Sequence, residues 1–217
     1  MSLCLHFKEE AVEVVVWRMN ENLSEILALL SHDSQPLWEE CSTRFPHSEY
    51  RQMEWFSVRL ALKEIFGNVP RVAYRENGEP FLADRPGYVS FSHTRGYAAV
   101  AFHPFRHVGV DIEHFSHRVD ALVKRILHPS EFPLGSAGAA PISTWYALLA
   151  WSMKESAYKC LDLSFLDYQN GLRLVPFMMS SEITGKSLMH YCHKGFRYPV
   201  QLSYRCASDY VLTWCFL

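Results

Sequence analysis

Three acidic residues and one lysine stand at spacings that could bring them together. Asp111 and Glu113 are separated by one apolar residue, so the alternation of side chains along a strand places both carboxylates on one face. Glu155 and Lys159 are four residues apart, which places them on one face of a helix. If that helix lies across the strand, three carboxylates and one ammonium share a small volume.

This combination favours chemistry on a phosphate with a bound divalent cation. Carboxylate oxygens suit Mg²⁺, which keeps water and substrate phosphates as its other ligands. We therefore expect Asp111, Glu113 and Glu155 to be metal ligands, and Lys159 to neutralise charge on a phosphate oxygen. The spacing also allows a simpler alternative, in which Glu155 and Lys159 form an ordinary ion pair on a helix surface.

A second polar group follows a predicted strand at Ser92, His93 and Arg95. A hydroxyl, an imidazole and a guanidinium beside a turn can bind an anion, although polar residues are also usual in β-turns. Histidines near Asp111 and the pair His190 and His193 raise a zinc alternative. Neither group has a cysteine pair at ligand spacing, so transition-metal binding is less favoured.

The composition indicates a soluble, globular, cytoplasmic protein. The chain has 217 residues with 49% hydrophobic and 20% charged side chains, and its net charge is −2. This balance argues against non-specific binding of nucleic acid. Six scattered cysteines are typical of reduced thiols, and neither a secretory signal nor a membrane-spanning run is visible.

The hydrophobic periodicity predicts both helices and short strands. Helices are predicted after Asn20 as cap, from Ser48 to Gly67 with Arg51 and Arg59 outward, over 119–127, and from Ser143 to about 161. Strands are predicted at 3–7, 12–17, 71–74, 88–92, 97–102, 107–113, 172–177, 198–204 and 210–217, with a loop at 133–141.

This order of elements predicts an α+β protein of two similar, pseudo-symmetric lobes. Each lobe would be a small, mostly antiparallel sheet packed with a long helix. We place the N-terminal lobe at 1–105 and the C-terminal lobe, which carries the carboxylates, at 106–217. The active site would then lie at the seam between the lobes.

Three motifs together resemble one family. They are Phe91-Ser92-His93-Thr94, Val108-Gly109-Val110-Asp111-Ile112-Glu113 and Trp151-Ser152-Met153-Lys154-Glu155-Ser156-Ala157-Tyr158-Lys159. In order and spacing they are similar to those of the Sfp-type 4′-phosphopantetheinyl transferases. The resemblance runs from about residue 45 to 165.

The resemblance implies a monomer that binds coenzyme A and Mg²⁺ in the cleft between its lobes. Such an enzyme transfers the 4′-phosphopantetheine arm to a serine of an apo acyl or peptidyl carrier protein, with Mg²⁺ spanning the pyrophosphate, and releases adenosine 3′,5′-bisphosphate. The implied roles are metal ligands at Asp111, Glu113 and Glu155, a pyrophosphate contact at Lys159, phosphate contacts at Ser92 and His93, and a general base at Glu155. Glu131 stands where the family often has a further acid.

One position departs from the family pattern. Glu79 stands in Asn77-Gly78-Glu79-Pro80, where members often have a lysine that meets the nucleotide end of coenzyme A. We expect Arg75 or Arg51 to compensate, and Arg51 or Arg95 to steer an acidic carrier. Two alternatives stay open: an impaired homologue that only binds coenzyme A or a carrier, and a metal-dependent phosphodiester hydrolase.

Overall fold

The chain forms two α+β units, Met1–Phe105 and Arg106–Leu217. The computed structural model describes residues 2–31, 34–132, 143–161, 167–177 and 183–217. In each unit an antiparallel sheet packs against an 18-residue helix. The predicted loop at 133–141 lies outside the described residues.

The first unit contains a six-stranded antiparallel sheet with the strand order β1-β2-β6-β5-β4-β3. Its strands are β1 (Leu3–Glu9), β2 (Val12–Arg18), β3 (Val72–Tyr74), β4 (Pro80–Leu82), β5 (Tyr88–Thr94) and β6 (Tyr97–His103), and its helices are α1 (Leu23–Leu30), α2 (Ser34–Arg44) and α3 (Glu49–Phe66). Helix α3 packs against the neighbouring strands β2 and β6.

The ends of α1 and α3 follow from local hydrogen bonding. Ser48 caps α3 and Gly67 ends it with a φ of 77°, as the sequence predicted. Helix α1 begins two residues later than predicted, because Asn22 is its cap and not Asn20. Asn22 and Glu25 form a reciprocal capping box, which satisfies two backbone N–H groups.

The prediction that Arg59 faces outward is wrong. Arg59 is only 2% exposed, and its guanidinium lies 3.5 Å from the centroid of the Trp55 ring. The aromatic face offsets part of the cost of burying this charge. Arg51, by contrast, has a side chain that is 56% exposed, as predicted.

The second unit contains a five-stranded antiparallel sheet with the order β7-β11-β10-β9-β8. Its strands are β7 (Val108–His114), β8 (Leu172–Leu174), β9 (Thr184–His193), β10 (Phe196–Cys206) and β11 (Tyr210–Phe216), and its helices are α4 (Val123–Ile126) and α5 (Thr144–Leu161). The long helix α5 packs against β7 and β11.

One predicted helix has a different form in the structure, and three observed elements were not predicted. The predicted helix at 119–127 is a 3₁₀ turn, His117–Ala121, followed by the short α4, because the Leu122 N–H bonds to the Val119 carbonyl three residues back. Helix α2, strand β4 and strand β9 were not predicted. Strand β4 has only three residues, α2 and β9 have mixed polarity, and β9 forms as one half of a hairpin with β10.

Helix α5 lies very close to β7, and Gly109 allows this approach. A Cβ atom at Gly109 would overlap the carbonyl oxygen of Ser156 and would lie 2.8 Å from the amide nitrogen of Cys160. Buried hydroxyls join the same helix to β11, where Oγ1 of Thr213 lies 2.9 Å from Oγ of Ser152 and 3.1 Å from that of Ser156. These contacts therefore fix α5 over the strand that carries Asp111.

Within the described ranges, no helix is both long and apolar enough to cross a membrane.

Replacing Gly109 with alanine should lower the free energy of unfolding by about 3 kcal/mol, in the upper part of the range for overpacked interiors. The added methyl group meets backbone atoms of α5, which cannot rotate away as a flexible side chain can. Urea unfolding followed by circular dichroism measures the change.

Gly195→Ala is the matched control in the same unit. Gly195 has a φ of 82° and no atom within 4 Å of an added Cβ, so only backbone strain of about 1 kcal/mol is expected. Equal losses of unfolding free energy in the two variants would show that α5 does not pack closely against β7 at Gly109.

Candidate active site

Strand β7 and helix α5 bring the charged residues of the second unit together. Gly109, Asp111 and Glu113 are alternate residues of β7, and Gly109 faces α5. Lys159 of α5 contacts Asp111, and Trp151, two helical turns earlier, contacts Glu113.

An ion pair joins Lys159 to Asp111. Nζ of Lys159 donates to Oδ1 of Asp111 at 2.8 Å and to the carbonyl oxygen of Val110 at 3.0 Å. The Asp111 side chain is 4% exposed, whereas the Lys159 side chain is 27% exposed. The ammonium is therefore held at its position by buried oxygen atoms and is still reachable from solvent.

Glu113 is held by the indole of Trp151. Nε1 of Trp151 donates to Oε1 of Glu113 at 2.9 Å. Burial and the negative charge of Asp111 raise the pKa of Glu113 to about 7, although the indole hydrogen bond and the charge of Lys159 oppose the shift. In the absence of a bound cation, this carboxyl therefore titrates near neutral pH.

Glu155 is turned toward the acidic strand. Burial, and then the charge of Asp111, raise the pKa of Glu155, while Lys159 and a hydrogen bond from Tyr168 lower it. Tyr168 was not predicted from the sequence. It lies outside the two motifs, and no periodicity connects it to α5, so only the folded chain places its hydroxyl beside Glu155.

The donor set in this unit fits a hard divalent cation. The charge of Asp111 disfavours ionisation of both other carboxyls, and a cation would relieve this repulsion. Among the described residues, no three His, Cys, Asp or Glu side chains are already gathered as a metal site. Mg²⁺ is often bound through one or two carboxylates together with water and phosphate oxygens, so a complete protein cage is not required.

Directly beside Glu155 in sequence, Lys154 is entirely buried. Its Nζ donates to Oε2 of Glu131 at 2.8 Å and to the carbonyl oxygens of Ile126 and Tyr168 at 2.6 and 2.7 Å. Both side chains of this ion pair are 0% exposed. No role for Lys154 followed from the sequence, and Glu131 was placed only by resemblance. In the structure Lys154 ties the segment carrying Tyr168 to α5, and Glu131 neutralises its charge.

The other predicted residues lie in the first unit, where Glu54 links two of them. Glu54 has a side chain that is 7% exposed, and it lies 3.0 Å from both Nδ1 of His93 and a guanidinium nitrogen of Arg51. Ser92, the neighbour of His93 on β5, is buried. A buried carboxylate, which was not predicted from the sequence, thus orients two exposed nitrogen groups.

Arg75 and Glu79 contact each other. Nε of Arg75 lies 2.8 Å from Oε2 of Glu79, across the turn that Glu76 and Asn77 form. The negative charge of Glu79 is therefore neutralised locally. Arg95 stands near Tyr50, where its positive charge opposes the rise that burial and Glu54 cause in the pKa of that phenol.

The comparison with protein families gives one finding for this chain. The model of the 4′-phosphopantetheinyl transferase superfamily matches residues 107–215, which include β7, α5 and the carboxylates described above. The comparison with curated proteins finds no match.

The fluorescence of Trp151 should report the titration of Glu113 in protein freed of divalent ions. We expect a transition with a midpoint near pH 7, because ionisation places a negative charge beside the indole nitrogen. The folded-state pKa lies above the ordinary value of 4.5, so the folded state binds this proton more tightly. Stability from this group is therefore present below pH 4.5 and is lost as the pH rises to about 7.

Glu113→Gln is the control for this titration, since it keeps the shape of the side chain and removes the proton. Its fluorescence should not change near pH 7. A wild-type midpoint near 4.5 would mean that Glu113 is solvated and distant from Asp111.

Lys154→Met should destabilise the second unit by about 3–5 kcal/mol, because it leaves the carboxylate of Glu131 buried without its cation. The double variant Lys154→Met, Glu131→Gln should lose much less than the sum of the two single variants. Thermal and urea unfolding of all three measure the coupling. Strictly additive losses would show that the two side chains do not depend on each other.

Proposed function

Because the chain belongs to the 4′-phosphopantetheinyl transferase superfamily, we propose that it is an active transferase of the Sfp type. It transfers the 4′-phosphopantetheine arm of coenzyme A to a serine of an apo carrier protein. The observation that carries this proposal is the meeting of Asp111, Glu113, Glu155 and Lys159 between β7 and α5, within the matched segment.

Asp111, Glu113 and Glu155 are the residues that would hold Mg²⁺. The ion would supply positive charge for the pyrophosphate of coenzyme A and for the leaving group. Burial, and then the charge of Asp111, raise the pKa of both Glu113 and Glu155, and a bound cation would offset both effects, which supports this assignment.

Lys159 would contact a pyrophosphate oxygen. Its ammonium is oriented by Asp111 and by the carbonyl of Val110, so little side-chain freedom is lost when a phosphate binds. A positive charge already in place is effective in phosphoryl transfer, where catalysis depends mainly on positioning and electrostatics.

Glu155 would accept the proton of the carrier serine, directly or through a water molecule. The serine oxygen forms a bond to the β-phosphorus, and the bond from that phosphorus to the bridging oxygen breaks. Adenosine 3′,5′-bisphosphate leaves with the electron pair. A carboxylate that holds Mg²⁺ is a weak base, which favours the route through a water molecule, and the hydroxyl of Tyr168 would keep the Glu155 carboxylate oriented.

Ser92, His93 and Arg51 would bind phosphate groups of coenzyme A from the first unit. Glu54 supports this role by orienting His93 and Arg51 through contacts of 3.0 Å. Arg75 partly compensates for the glutamate at position 79, where the family often has a lysine. It neutralises the Glu79 carboxylate and leaves little net charge there. Repulsion of the 3′-phosphate is thereby reduced.

The transfer reaction tests the proposal. Purified protein incubated with coenzyme A, Mg²⁺ and an apo acyl carrier protein should add one phosphopantetheine to the carrier, as measured by intact mass. Asp111→Asn should reduce the rate at least a hundredfold, because it removes charge that the ion and Lys159 both need. Circular dichroism establishes that the variant is folded.

Asp120→Asn is the matched control, because Asp120 is an exposed acid of the same unit that contacts His117. It should transfer at the wild-type rate. Transfer to none of several carriers, with coenzyme A still bound, would support an impaired homologue instead. Release of phosphopantetheine without a carrier would support a hydrolase.

A further inference from the structure

The β9–β10 hairpin of the second unit has an unusual charge distribution. The segment from Ile183 to Cys206 contains no aspartate or glutamate, although acidic residues outnumber Lys and Arg in the whole chain by 23 to 21. Its basic residues are Lys186, His190, His193, Lys194, Arg197 and Arg205. An acidic partner would be attracted to this hairpin from a distance.

The far end of the hairpin, residues 191–198, also exposes aromatic side chains. Phe196 is 67% exposed and Tyr198 is 49% exposed. The strand register pairs Tyr198 with Tyr191 and Phe196 with His193, so these four side chains lie on one face. We call residues 191–198 the hairpin end.

The aromatic face continues a face that is buried nearer the base of the hairpin. There Met189 pairs with Val200, and both are covered by the core of the unit. Of the described strands, β11 pairs only with Ser203–Cys206 of β10, so the hairpin end extends beyond it. An apolar surface next to cations and open to solvent is typical of an interaction site.

The turn at the hairpin end holds Lys194 in a backbone conformation that lysine rarely adopts. Lys194 and Gly195 have φ values of 49° and 82°, as in the two-residue turns with both central residues left-handed. Asparagine is favoured at the first of these positions and lysine is not. A lysine in this strained conformation places a cation at the tip of the hairpin.

We propose that the hairpin end is the docking surface for the acidic carrier protein, an inference that rests on the proposed function. Phe196 and Tyr198 would supply apolar contacts to a helix of the carrier, while Lys194 at the tip of the hairpin would meet its carboxylates. Among the described residues, no acid of this chain forms an ion pair with Lys194, so its charge is available to a partner.

Direct binding of an apo acyl carrier protein, measured by calorimetry in the absence of coenzyme A, tests the docking surface. Phe196→Thr should weaken binding about tenfold, as expected for an exposed aromatic contact residue, and it keeps a residue suited to a strand. Leu188→Thr is the matched control, because Leu188 is 39% exposed on the opposite face of the same hairpin. Its affinity should stay within twofold of the wild type.

Lys194→Asn separates charge from folding. Asparagine suits the turn better than lysine, so the variant should be as stable as the wild type or more stable. It should still bind the carrier about threefold more weakly at 50 mM salt, and the difference should vanish at 500 mM salt because exposed charges are screened. Wild-type affinity in both Phe196→Thr and Lys194→Asn would overturn the proposal.

Two further outcomes would also overturn it. Leu188→Thr could weaken binding as much as Phe196→Thr, or sedimentation could show that the hairpin end joins two copies of the chain.

Glu155→Gln separates docking from the proposed function, since it should bind the carrier normally while transferring poorly. If carrier binding depends on Phe196 but the protein shows no transfer activity, the proposed enzymatic function is wrong and the proposed docking surface still holds.

Discussion

The close approach of α5 to β7 is the constraint on which the candidate active site depends. It is possible only because Gly109 has no side chain where the backbone of α5 passes. This contact sets the height of the helix above the strand, and the hydroxyls of Thr213, Ser152 and Ser156 keep the helix from sliding. The meetings of Lys159 with Asp111 and of Trp151 with Glu113 are consequences of that fixed distance.

Two adjacent residues of α5, Lys154 and Glu155, have different surroundings. Lys154 points into the core, where its ammonium is fully satisfied by Glu131 and two carbonyl oxygens. Glu155 lies about 100° around the helix and shares its surroundings with Asp111 and Lys159. One charge is therefore neutralised inside the fold, while the carboxyls beside it keep unfavourable interactions that a cationic ligand can relieve.

The first unit uses the same device of a buried acid that orients exposed groups. Glu54 is nearly inaccessible, yet it holds Arg51 and His93, whose own side chains are 56% and 41% exposed. A carboxylate fixed in the interior loses little entropy when it orients a partner, so the exposed nitrogen groups are arranged before a ligand arrives. The pair of Arg75 and Glu79 differs, because there each charge mainly neutralises the other.

The sequence by itself determined the strand of Asp111 and Glu113, the helix of Glu155 and Lys159, and the α+β class, because these depend on local periodicity and capping. It did not determine where Lys154 or Arg59 points, because a charged residue on a helix becomes buried only when distant segments cover it. Glu54 and Tyr168 also escaped prediction, since their partners are set by packing and not by spacing. Only the tertiary structure decided which charges are satisfied within the fold and which remain for a ligand.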